Sequence, residues 1–220
     1  MPTMTSTRRE QTAALRADRS GSGPTVAERP PARFPGASAA FALFGEVLLI
    51  GVLVTLVSLP VVTLPAALAA GIRHLRRFVA AEASPVSAFW ADVRRAALPG
   101  ALVGLVATVL ALVLLLDIDL ARSGLLPGGA VIEVVGWIGL AAVSVVVLSA
   151  AGAWSPERGW RPALRAVPAL VRADIAGAAY LVAAAGFVVV LAWMMPPLVI
   201  AGLGCAALAV VAVPTRRRRR

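Results

Sequence analysis

The sequence predicts an all-α, polytopic membrane protein of about five transmembrane helices, the first broken between Pro60 and Pro65, with short amphipathic helices at the interface. Three observations predict it. The 220 residues are 60% hydrophobic with a mean hydropathy of +0.87, against about 45–50% apolar residues in ordinary soluble domains. The apolar residues gather in runs of about twenty, the length that crosses a hydrocarbon core about 30 Å thick. The charges stay out of those runs. All 21 basic residues are arginines, against 11 acidic ones, a net +10, and every arginine lies in the N-terminal tail or near an end of a run. That is the placement of topology determinants and of contacts to anionic lipid headgroups. No aromatic residues interleave with the charge, so nucleic acid is not an expected partner.

Residues 1–38 are rich in Arg, Ser, Thr, Pro and Gly, with Leu15 as the only leucine. They cannot bury enough apolar surface to offset the entropy of ordering, and read as a disordered basic tail. Arg8-Arg9 is followed by Glu10-Gln11, and the first apolar run begins about thirty residues further on, so no cleavable signal is expected. The transmembrane domain covers residues 39–213. Its first span, 41–59, meets Pro60, which removes a backbone donor and disfavours helix at Leu59. Pro65 suits the first turn of a new helix with Thr63 at its cap. The 13 residues of 60–72 are few for a second crossing. They are read as a kinked continuation to residue 79 that runs into the interface; a short leg dipping back is the alternative.

Residues 80–95 form a polar connection in which Phe89, Val93 and Ala96 fall at helical spacing beside Trp90, with Asp92, Arg94 and Arg95 off that stripe. This pattern predicts an interfacial amphipathic helix. The second crossing is 96–116, ended by Asp117 and Asp119, and the third, after a Gly/Pro-rich loop, is 130–154. Residues 160–174 are again basic and amphipathic, with Leu164, Val167, Leu170 and Val171 on one side. The fourth crossing is 175–195, Pro196-Pro197 makes a tight break, and the fifth is 198–213. Residues 214–220 are an Arg-rich tail. An amphipathic stretch followed by a hairpin thus occurs twice, at 87–154 and 160–213, a repeat of pattern and not of residues.

Arginine placement orients the chain. The 73–95 connection carries five arginines, 157–174 four and the C-terminal tail five, while 117–129 holds two aspartates and Arg122. The C-terminus is therefore expected in the cytoplasm. With an odd number of crossings the N-terminus falls outside, although Arg29 and Arg33 precede the first run. Arg73, Arg76, Arg77, Arg94 and Arg95, together with Arg216, Arg217, Arg218, Arg219 and Arg220, are the candidate topology and headgroup residues.

Only two of the acidic residues, Glu46 and Glu133, lie within apolar runs. A carboxylate in a bilayer is costly, which makes both candidates for a functional polar contact, although each is close enough to its run's start to reach the headgroups. No opposite charge within the runs is expected to pair with either. His74, the single histidine, reads as a solvated interfacial residue, and Cys205, the single cysteine, as a small packing residue. Gly100 and Gly104 give a GxxxG spacing that lets helices approach closely inside the protein. Trp137 lies within a span; Trp154, Trp160 and Trp193 lie at span ends, as an aromatic belt requires, and Trp90 plays that part from its interfacial helix. There is no phosphate loop, no HExxH, no Ser/His/Asp or Cys/His set and no paired carboxylates on one helix. No catalytic, cofactor or metal residues are expected, and the chain does not read as an enzyme.

The block Ser58-Leu59-Pro60-Val61-Val62-Thr63-Leu64-Pro65, followed by an Ala-rich helix ending at Arg73–Arg77, resembles the signature of the YesL family of bacterial membrane proteins. Phe89-Trp90 with Arg94-Arg95 matches the Phe-containing polar stretch that follows in that family. The chain shows Leu64-Pro65 where the family usually has Gly-Pro, and Phe44-Gly45-Glu46 where it usually has an early Asn. What the resemblance implies is a bacterial membrane protein of a family often encoded beside carbohydrate ABC transporters and glycoside hydrolases, with no catalytic residues to carry over. The sequence therefore leads to a non-enzymatic accessory factor of sugar uptake, with a membrane transporter as partner. The alternatives are an autonomous transporter or channel using Glu46 and the broken helix, and an organiser of anionic lipid through the five terminal arginines.

Overall fold

The computed structural model describes residues 40–123 and 128–217. The chain divides after Arg33, and all described residues belong to the second unit. The readings of the 1–38 tail, of most of the 124–129 loop and of Arg218, Arg219 and Arg220 fall outside the described residues.

Among the described residues there are seven α-helices and no strands: α1 (Ala40–Val57), α2 (Leu64–Val79), α3 (Val86–Arg122), α4 (Gly129–Ala153), α5 (Trp160–Ala173), α6 (Ile175–Met194) and α7 (Val199–Arg217). The all-α, multi-pass reading stands. Four stretches, on α3, α4 and α6 and over 196–214, are long and apolar enough to cross a membrane, and α1 is a shorter apolar helix. Only 11% of the apolar window of α3 is buried by the rest of the protein. A helix that is apolar all round yet mostly uncovered belongs in lipid.

The first run does not continue as a kinked helix. Past Val57 the chain turns through a short 3-10 segment, Val61–Thr63, and α2 folds back along α1. The register shows it: Gly71 lies against Val54 and Ile50, and His74 against Glu46. Pro60 and Pro65 forbid a continuous ladder, as expected. Thr63 takes the cap position of α2 without a capping bond; its hydroxyl donates back to the Val57 carbonyl and closes the turn. The 65–72 stretch is buried throughout instead of lying in the interface. Its Ala-rich face explains this: side chains this small let α1, α3, α4 and α7 all pack against one helix. Start of α1 and end of α2 therefore share one end of the molecule.

The expected interfacial helix and second crossing are a single 37-residue helix, α3. The Phe89, Val93 and Ala96 stripe is buried as its spacing predicted. Nothing in 86–98 breaks the backbone ladder, and Pro99 is tolerated within it. In the second copy of the pattern the break is real. The Asp174 carboxylate accepts from the Gly177 N–H at 2.8 Å and starts α6 separately from α5.

α3 and α4 form a second hairpin, with Gly136 on Ile118 and Gly139 on Leu114, and α6 and α7 a third, with Gly202 against Val188 and Gly177 against Val213. Close backbone approach binds them. A Cβ on Gly104 would fall 1.9 Å from the Val62 carbonyl oxygen, so α3 comes this close to the 58–63 turn because position 104 is a glycine. The Gly100/Gly104 spacing is thus spent on internal packing. A crossing not anticipated from the sequence joins α1 to α7, where Gly51 faces the Ile200 carbonyl and Gly204 the Val47 carbonyl.

Candidate functional site

The open ends of all three hairpins meet at one end of the molecule, and the polar side chains gather there. α2 enters it with Arg73, His74, Arg76 and Arg77 on its last turns. His74 is fully buried, contrary to its expected solvated position, and its Nε2 lies 2.6 Å from Glu46 Oε1 on α1. When the carboxylate is ionised the ring donates that bond. Glu46 therefore has a buried hydrogen-bond partner, which the expectation of no opposite charge to pair with it had not foreseen. The cause is the fold-back, which brings residues 28 positions apart together. His74 Nδ1 is buried with no hydrogen-bond partner among the described residues.

Asp92, expected off the packed stripe, is buried at 2% exposure. Its Oδ2 accepts from Arg77 Nη2 at 2.7 Å and from Arg73 Nε at 3.2 Å. One carboxylate thus serves two guanidiniums. Arg73 also lies over the Trp154 ring, 5.9 Å from its centroid. Arg76 Nη1 donates to the Gly152 carbonyl of α4 at 2.6 Å. These three arginines, expected to face headgroups, are held by protein groups as well. Arg94 and Arg95 are exposed on α3.

Trp154 and Trp160 are buried at 3% and 4% exposure and pack with ring centroids 6.2 Å apart. They are structural at this end rather than part of a lipid belt. Trp160 Nε1 donates to the Ala96 carbonyl at 3.2 Å, next to the position where Pro99 removes a ladder donor. Trp90, Trp137 and Trp193 are exposed, as belt residues are. In the 154–159 connection the Glu157 carboxyl lies below the usual carboxylate range, because its own backbone N–H and then the Ser155 hydroxyl donate to it.

Two cavities open at this end. One, of about 540 Å³, is bordered by Arg73, Arg76, Arg77 and Arg158, with Glu82 and Trp154. The other, of about 520 Å³, has Val171, Leu181, Val210 and Val213 in its wall. Arg76 and Leu170 border both.

Glu133 is not gathered into this site. It lies on α4 near the opposite end of the α3/α4 hairpin, where Arg122 Nη2 and Nε approach its Oε1 at 2.6 and 2.7 Å and Trp137 Nε1 at 3.4 Å. Glu133 has an opposite charge, contrary to expectation, supplied by Arg122 in the last turn of the preceding helix. A third cavity of about 320 Å³ lies beside the 58–63 turn, bordered by Val61, Pro65, Leu68, Leu112 and Val189, with Thr108 and Ser144 as its polar side chains. Glu46 does not border it, so the structure does not bring Glu46 and the Pro60–Pro65 break into one path. Cys205 is an exposed free cysteine on α7. No group of three or more His, Cys, Asp or Glu suited to a metal occurs among the described residues.

No family model matches the chain, and neither does any curated protein or solved structure.

Proposed function

We propose that this is a non-enzymatic accessory protein of a bacterial cytoplasmic membrane, working beside a carbohydrate ABC-type importer. The observation that carries the reading is the job of the 58–65 block. The residues that resemble the YesL signature are the ones that make the fold-back turn, with Thr63 closing it and Val62 received by Gly104. The resemblance thus rests on residues with a structural reason to be kept together. The turn sets α2 in the centre of the bundle and delivers its arginines to one end.

In this reading that end faces the cytoplasm, since it carries the arginines of 73–95 and 157–174. The start of α1 then lies on the cytoplasmic side too, in place of the outside position expected from an odd number of crossings. The importer meets the apolar outer faces of α3 and α4 and the exposed Arg94 and Arg95. Purification from native membranes in nanodiscs, with bound proteins identified by mass spectrometry, tests this. Stoichiometric recovery of a permease with its ATPase is expected, along with altered sugar uptake on deletion. Recovery of the protein alone, with uptake of every tested sugar unchanged, contradicts it.

A further inference from the structure

We infer that the two cavities at the basic end form one binding site for a phosphate-bearing amphiphile, an anionic phospholipid or a molecule of that build. The charge count makes the first cavity electropositive. Arg73, Arg76, Arg77 and Arg158 border it, against three carboxylates: Glu82 on its rim, Asp92, which Arg73 and Arg77 already share, and Glu157, which interacts with Arg73 and Arg158. Arg73 is bound through Nε, Arg77 through Nη2 and Arg76 through Nη1, so each contact leaves other guanidinium nitrogens unspent. A tetrahedral phosphate offers acceptors in several directions at once, a match for several guanidiniums around one cavity.

These arginines are also set in place rather than loose on the surface. Asp92 is itself buried, Trp154 backs Arg73, and the Gly152 carbonyl fixes Arg76. Such preorganisation distinguishes a site from a diffuse basic surface. The second cavity gives the rest of the ligand. It shares Arg76 and Leu170 with the first, and Val171, Leu181, Val210 and Val213 give it an apolar wall. Besides Arg76 its polar members are Ser149 and Asp174, and the Asp174 carboxylate is turned to the Gly177 N–H. A cationic cavity that shares wall residues with an apolar one suits a phosphate head with an acyl chain better than it suits a free anion. The inference does not depend on any importer.

The test uses the full chain in phosphatidylcholine nanodiscs and two probes that share a phosphate, short-chain phosphatidic acid and glycerol phosphate. Saturable binding of phosphatidic acid is expected, at least about tenfold tighter than glycerol phosphate, which lacks the chains. Arg158→Gln removes an exposed guanidinium, so the fold should survive, and binding should weaken by up to about tenfold. Leu170→Trp, at a wall residue common to both cavities, should weaken phosphatidic acid alone. Arg94→Gln, on the exposed face of α3, should leave binding unchanged. Equal binding of the two probes overturns the amphiphile. No saturable binding, or the same loss in Arg94→Gln as in Arg158→Gln, overturns the site.

Discussion

Glu46 and Glu133 start from matched positions, each near the beginning of an apolar helix, and end in opposite surroundings. Glu46 meets a fully buried histidine 28 residues away in a crowded end built from all three hairpins. Glu133 meets Arg122, a residue 11 positions earlier whose side chain is 58% exposed, at the loop end of one hairpin. The first contact ties together elements that the chain had to fold back to join. The second clips a loop that is already closed. Local sequence context is alike for the two; what differs is the depth at which the partner is fixed.

The comparison can be broken most forcefully at Asp92. Replacing it with Ala leaves Arg73 and Arg77 without their carboxylate beside buried groups, and a loss of about 2–3 kcal/mol is expected, read as thermal unfolding in mild detergent. Double-mutant cycles then set the two glutamates against each other. Glu46→Ala with His74→Ala should show a coupling of about 1–2 kcal/mol, whereas Glu133→Ala with Arg122→Ala should show none that can be measured, because water screens that pair. Equal couplings would mean that the two ends are energetically alike after all.

Packing offers a sharper contrast within one residue type. Gly104→Ala places a Cβ on the Val62 carbonyl and is expected to cost about 1–3 kcal/mol. Gly45→Ala meets nothing within 4 Å and should be neutral or gain up to about 1 kcal/mol from helix propensity. The smallest effect lies where α2 leaves the basic end. Ala81 has φ 57° and the Glu82 N–H returns to the Arg77 carbonyl, so Ala81→Gly should stabilise by about 1 kcal/mol.

Much of the fold was legible because membrane spans announce themselves by length and composition. α3, α4, α6 and α7 fall where the apolar runs are, and the Phe89, Val93 and Ala96 stripe is buried as its spacing requires. The direction of α2 was not legible. Pro60 and Pro65 say that the helix must break, but a break permits a kink or a reversal, and only the small residues of 66–71 hint that the segment is wanted at the centre. The site was half legible. Arg73, Arg76 and Arg77 stood out, but their partners did not. Asp92 looks like an exposed acid until Arg73 and Arg77 reach it, and the Gly152 carbonyl is invisible to any reading of side chains. His74 and Glu46 could be paired only by knowing that the chain turns back. The fusion of the interfacial helix with α3 has a local cause: no capping residue like Asp174 stands before residue 96.

The fold-back is the claim on which the rest depends, and cysteine labelling in intact cells tests it most directly. With Cys205 replaced by Ala, single cysteines at Phe41, Ala83 and Gly128 would be probed with a membrane-impermeant thiol reagent. Phe41→Cys and Ala83→Cys should behave alike, and Gly128→Cys oppositely, because both ends of the α1/α2 hairpin lie at the end away from the α3/α4 loop. Labelling of Phe41→Cys together with Gly128→Cys, and apart from Ala83→Cys, would show that the first helix runs straight through and would contradict the account.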